Sequence, residues 1–253
     1  RHVREARMIL AIDAGNSRVK WGWHDGLAWT SIATVSLIEF AASSDHINPF
    51  SITHGDPERI VIANVAGEGA HQLLVNWTSI FDAEPLWLHG EAERCGVRSR
   101  YERPEQLGPD RWAALVAARA VHAGPCLVVN AGTATTIDML SGDGVFLGGA
   151  ISPGIDLMRF VLHEHTGRLP LQEGSFREAP RNTFDAIETG CRHAQAGAVE
   201  RMHRAMGGNP LCIVSGGAGR QLLELLRLPS RYIENLVLDG LARIALSERA
   251  VTR

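Results

Sequence analysis

The sequence has no excess of basic charge: 25 Lys and Arg stand against 28 Asp and Glu, a formal net charge of −3. Nucleic-acid binding draws on clustered Lys and Arg that neutralise phosphates, so this balance excludes an electrostatic footprint for nucleic acid. Nor does any apolar run approach the roughly 18 residues that span a bilayer, so no membrane segment is expected. The start lacks the basic, apolar and small-residue order of a signal peptide, and the chain reads as cytoplasmic. Cysteine is scarce: Cys95, Cys126, Cys191 and Cys212 lie far apart, without the close pairs of a zinc site or a redox dithiol. They are expected as reduced packing residues. Two common nucleotide signatures are also missing, Gly-x-Gly-x-x-Gly after a strand and Gly-x-x-x-x-Gly-Lys-Ser/Thr. A nucleotide bound here needs another fold.

What the chain does have is a repeated strand-to-turn pattern. Leu127-Val128-Val129-Asn130-Ala131-Gly132-Thr133-Ala134 is an apolar run that stops on a polar residue and turns through Gly-Thr-Ala. Ile9-Leu10-Ala11-Ile12-Asp13-Ala14-Gly15-Asn16-Ser17 has the same order near the other end of the chain. Such turns offer free N–H groups and hydroxyls, which suits a phosphate. Leu211-Cys212-Ile213-Val214-Ser215-Gly216-Gly217 is a third strand that runs into glycine. At 253 residues the chain can bury one large core or two small ones, and the internal echo favours two related halves.

The remaining elements read as α/β alternation. Asp25-Gly26 and Gly142-Asp143-Gly144 predict hairpins, and residues 60–65 predict a buried strand followed by a helix over 71–81. Residues 90–109 predict a long irregular loop, a place where function often concentrates. Helices are expected from Asp110 to about Gly124, over 156–165, from Asn182-Thr183 to about Met206, from Arg220, and over 235–248. Gly190 and Gly197 inside the long helix predict close packing, including against a second subunit. His163-Glu164-His165 is not the His-Glu-x-x-His zinc motif, because residues two apart on a helix face different ways. Residues 1–7 are polar and patternless and are left out of the expected fold.

At specific positions the chain resembles the type III pantothenate kinases. The residues that carry the likeness are Asp13-x-Gly15-Asn16-Ser17-x-x-Lys20, Gly108-Pro109-Asp110-Arg111, Gly132-Thr133-Ala134-x-Thr136-x-Asp138, Gly149-x-Ile151-x-Pro153-Gly154 and Asn182-Thr183-x-x-Ala186-Ile187-x-x-Gly190. The resemblance extends to Bvg accessory factor-like proteins. It implies two ribonuclease-H-like domains of the actin-like ATPase type flanking a nucleotide cleft, here expected over residues 8–116 and 117–253. It also implies ATP-dependent phosphorylation of pantothenate to 4'-phosphopantothenate, the first step of coenzyme A biosynthesis. The alternatives are a non-catalytic regulatory or accessory protein of the same fold and a kinase for another small hydroxy acid.

The resemblance further implies roles residue by residue. Asp13 would hold Mg2+ through water, and Ala14, Gly15, Asn16, Ser17 and Lys20 would line the ATP phosphates. Gly132, Thr133 and Ala134 would meet the phosphates from the second half, with Gly216 and Gly217 near adenosine. Asp110 would be the general base, and Tyr101, Gly108, Pro109, Arg111 and Thr183 would bind pantothenate. Thr183 would do so from a partner subunit, which implies a homodimer. On the residues alone, Asp110 also reads as a helix N-cap, Arg111 as a surface helix arginine and Lys20 as a solvated strand lysine. Asn130 stands where the family usually has Asp, at a position associated with a monovalent cation, K+ or NH4+. An Asn keeps an oxygen ligand and loses the charge, so weaker or altered cation dependence is expected.

Overall fold

The computed structural model describes residues 8–42 and 55–248, so residues 1–7 lie outside the described residues. The chain divides into two compact units. One runs to Ala120 and resumes at Leu236; the other is Val121–Asn235.

The first unit is built on β1 (Ile9–Ala14), β2 (Arg18–His24), β3 (Trp29–Ser36), β4 (Arg59–Asn64) and β5 (Pro85–Trp87), in the order β3-β2-β1-β4-β5. The β1–β2 and β2–β3 pairs are antiparallel, whereas β1–β4 and β4–β5 are parallel. Central strands covered on both faces need continuous apolar sequence, which is why Ile9 to Ile12 and Ile60 to Ala63 contain no charge. One face packs Leu10, Ile12, Val19, Trp21, Ile60 and Ile62 against Phe40 of α1 (Leu37–Ala42) and Leu74 and Trp77 of α2 (Glu68–Thr78). Truncating a side chain as enclosed as Leu74 to Ala should cost about 2–5 kcal/mol.

The second unit repeats that plan. Its strands β8 (Cys126–Ala131), β9 (Ala134–Leu140), β10 (Val145–Pro153), β11 (Leu211–Ser215) and β12 (Ser230–Tyr232) follow the order β12-β11-β8-β9-β10. Again two pairings are antiparallel, β8–β9 and β9–β10, and two are parallel, β8–β11 and β11–β12. Its helices are α4 (Ile155–His165), α5 (Thr183–Met206) and α6 (Gly219–Leu223). Leu127, Val129, Val199, Val214 and Leu222 form its core.

Three details depart from the expected layout. The irregular stretch 90–109 contains a hairpin, β6 (Glu93–Arg94) with β7 (Val97–Ser99), and one 3-10 turn at Pro104–Gln106. Cys95 and Gly96 both take positive φ, which lets a two-residue connection close it. The last helix, α7 (Leu236–Ser247), belongs to the first unit rather than the second. Gly240 permits this, since a Cβ there would collide with the Ala113 backbone of α3 (Pro109–Val121). Finally, β12 is a short parallel strand with no sequence signal of its own. Cys126, Cys191 and Cys212 are buried, and no disulfide joins them among the described residues. Among the described residues no helix is long and apolar enough to cross a membrane.

Candidate active site

In the first unit the charged candidates converge at the end of β1. The antiparallel register sets Asp13 opposite Lys20, with Ala14 opposite Val19. The connecting turn closes through Gly15 N–H donating to the Arg18 carbonyl at 2.9 Å, leaving Asn16 and Ser17 exposed. Asp13 is held protonated up to about 7. Burial is the main cause and the neighbouring Asp110 carboxylate adds to it, while Lys20 works in the opposite direction.

Asp110 lies within the first turn of α3, one residue after Pro109, so it is not the residue that caps the helix from outside. Pro at the first helical position loses no hydrogen bond, because that N–H has no partner within the helix. Burial raises the Asp110 pKa above the usual carboxylate value, and backbone N–H groups at the helix start with Arg111 pull it part of the way back. A Cβ at Gly108 would sit 2.6 Å from Asp110 Oδ1, so any side chain there would displace the carboxylate.

Arg111 is 5 % exposed, which removes the surface-arginine reading. Its Nη1 donates to Tyr101 Oη at 3.2 Å, and its guanidinium lies 5.8 Å from the Tyr101 ring centre. A buried fork of donors steadied by a tyrosine suits a carboxylate. Sequence reading missed a neighbour of this face: Trp29 Nε1 donates to Asp239 Oδ1 at 2.8 Å, and both Lys20 and His24 bear on the Asp239 carboxyl. An acidic residue inside the apolar run Leu236-Val237-Leu238-Asp239 was the available signal.

The second unit builds the equivalent turn without charge. Asn130 pairs with Thr136 on β9 and Ser215 on β11, and Gly132 N–H donates to the Ala134 carbonyl at 3.0 Å. Gly132, Thr133 and Ala134 are exposed. Gly216 has φ of 92°, and a Cβ on it would stand 2.6 Å from Asn130 Oδ1 and collide with the Ala131 carbonyl oxygen. That oxygen accepts from Ala218 N–H at 3.0 Å. Asn130 and Gly216 are therefore brought together, and Thr183 is the first residue of α5. There Asn182 caps the helix by accepting from Asp185 N–H at 2.9 Å.

No cluster of three or more His, Cys, Asp or Glu that could hold a metal occurs among the described residues. His163 has Nδ1 2.8 Å from the Leu169 carbonyl oxygen. The Asp13–Asp110 pair does fit a divalent ion that keeps its waters and binds mainly through phosphate oxygens. Mg2+ behaves in that way, and an added cation would relieve the pair's repulsion.

Two similarly built units, each ending its central strand in a polar turn, define an actin-like ATPase fold of the kind found in small-molecule kinases. Solved structures agree on the fold. A Baf family protein from Campylobacter jejuni matches with a TM-score of 0.61 at 23% identity, covering 93% of this chain and 96% of that one. Component A of the (R)-2-hydroxyglutaryl-CoA dehydratase of Acidaminococcus fermentans matches with a TM-score of 0.55 at 11% identity, over 94% and 96%. The family follows from sequence: the model for type III pantothenate kinase matches residues 9–205. A type III pantothenate kinase of Aromatoleum aromaticum is 50% identical over 245 residues, 96% of this chain and 100% of that protein. The chain belongs to the type III pantothenate kinases.

Proposed function

We propose that Asp110 is the general base of the ATP-dependent phosphorylation of pantothenate, the reaction of coenzyme A biosynthesis that family membership assigns to this chain. The observation that carries this reading is the Asp13–Asp110 carboxylate pair beside Lys20, flanked by the buried Arg111. Asp110 takes the proton from the primary hydroxyl of pantothenate as that oxygen bonds to the γ-phosphorus and the bond to the β-phosphate oxygen breaks. Its raised pKa makes it a stronger base than an exposed Asp. Arg111, steadied by Tyr101, receives the substrate carboxylate, and Gly108 and Pro109 shape that end.

Asp13, Gly15, Asn16, Ser17 and Lys20 bind the ATP phosphates from the first unit, and Gly132, Thr133 and Ala134 do so from the second. Gly216 and Gly217 take adenosine. Asp13 would hold Mg2+ through water, and the ion would supply neutralisation of the phosphate charge there. Asn130 gives a weakened or altered requirement for K+ or NH4+.

The working form is a cytoplasmic homodimer. Support comes from the exposed apolar side chains Leu157, Phe160 and Val161 on α4, together with Leu171. They accompany an apolar hollow of about 600 Å³ whose lining includes Thr183, Ile187 and Gly190. Among the described residues a Cβ on Gly190 or Gly197 would meet nothing within 4 Å, which leaves room there for a second copy. The test is phosphopantothenate formation from ATP and pantothenate with Mg2+, with and without K+ or NH4+. Product that requires both substrates supports the reading. Its absence, with nucleotide still bound, would replace it by a non-catalytic role.

A further inference from the structure

Within the second unit a buried amide is tied to the Gly132–Thr133–Ala134 turn through a short chain of hydrogen bonds. Gln195 on α5 is 1 % exposed, and its Nε2 donates to Thr135 Oγ1 at 2.7 Å and to the Pro153 carbonyl at 3.1 Å. These acceptors lie on β9 and β10, where Ser152 pairs with Thr135 and Pro153 with Ala134. The amide cannot be reversed, because Oε1 would then face the Pro153 carbonyl oxygen.

The Pro153 carbonyl and the Gly154 N–H are the two ends of one planar peptide group. Gly154 N–H donates to the Thr133 carbonyl at 2.8 Å, and a Cβ on Gly154 would collide with the carbonyl oxygens of Gly132 and Thr133. The peptide group that ends in the Thr133 carbonyl begins the next residue, so its Ala134 N–H points the opposite way. Fixing the carbonyl fixes that donor.

Gln195 Oε1 is buried and has no hydrogen-bond partner among the described residues. An orphaned acceptor is unfavourable for stability, so stability alone does not account for a glutamine here.

We infer that Gln195 is a positioning residue for the phosphate turn, orienting the Thr133–Ala134 peptide through the Pro153–Gly154 peptide. The inference rests on the reading of Gly132–Thr133–Ala134 as a turn that binds ATP. The test is calorimetric titration of the full chain with Mg2+ and ATP, at about pH 9 so that a buried carboxyl is ionised, together with steady-state kinetics.

Gln195→Met should weaken ATP about tenfold, the value of one lost hydrogen bond. Turnover at saturating ATP and the KM for pantothenate should stay near wild type. Gln195→Glu keeps the shape but replaces the donor by an acceptor, and should weaken ATP more than Gln195→Met. Thr135→Val removes only the other acceptor and should leave ATP affinity close to wild type.

A residue that merely filled space would leave ATP affinity unaltered in the space-filling Gln195→Met, and that result would overturn the inference. So would ATP affinity unchanged in both Gln195 variants. If one variant fails to fold, the other against Thr135→Val still decides. A wild-type chain that bound no ATP would instead overturn the reading of the turn itself.

Discussion

The two units share one strand plan and differ in charge where the central strand ends. Asp13 in the first corresponds by register to Asn130 in the second, Gly15 to Gly132, and Lys20 to Thr136. Even the supporting bonds repeat: the Ala14 carbonyl accepts from Val65 N–H at 2.9 Å, and the Ala131 carbonyl accepts from Ala218 N–H at 3.0 Å. What differs is that the first copy carries two mutually repelling carboxylates and a lysine, while the second offers hydroxyls, an amide and backbone N–H groups. On the proposed reading, the first copy moves a proton and neutralises charge, and the second holds a ligand neutrally.

Removing charge from the first copy should have the largest effect. Asp13→Asn should lower Mg2+-dependent turnover by ~10³-fold, on the order of one lost electrostatic contact in phosphoryl transfer. It should also stabilise the ligand-free protein. A carboxyl whose pKa is about 7 when folded and near the ordinary carboxylate value when unfolded costs nothing below about pH 4. The cost grows as the pH rises to about 7 and is complete above it, so at pH 8 the variant should gain roughly 2–4 kcal/mol in denaturant melts. A variant no more stable than wild type at pH 8 would contradict the buried-charge picture of this copy.

Gly216→Ala probes the neutral copy through sterics instead. With positive φ and the Ala131 carbonyl in the way, it should lose about 1–3 kcal/mol of stability and weaken ATP. The smallest effect is expected from making the copies alike. Asn130→Asp should strengthen activation by K+ about tenfold or less, since a carboxylate binds a cation better than an amide oxygen. Activation curves that superimpose before and after the change would show that the difference at this position carries no cation chemistry.

Much of this contrast was legible from residues alone, because strand-to-glycine turns are local. The apolar run, the polar stop and the glycine all lie within a few residues of each other, and both halves could be read independently. The resemblance then named Asp13, Asp110 and Arg111 together. What stayed hidden depends on distant parts of the chain meeting. The burial of Arg111 depends on tertiary packing, and the contact of Trp29 with Asp239 and the docking of α7 on the first unit join residues from opposite ends of the sequence. Gln195 gave no signal, for a polar residue among the helical positions of α5 looks solvated until its strand partners are known. The Cys95-Gly96 hairpin was missed because positive φ at Cys is uncommon, so a turn of that type was not anticipated.

The central claim is that catalytic charge resides in the first unit and that Asp110 is its proton acceptor. The most direct measurement compares wild type and Asp110→Asn for phosphopantothenate formation at saturating substrates, with ATP affinity measured alongside by calorimetry. The account predicts turnover lower by ~10²–10⁴-fold, the range for loss of a general base, with ATP affinity within a few-fold of wild type. Full turnover in Asp110→Asn would contradict it.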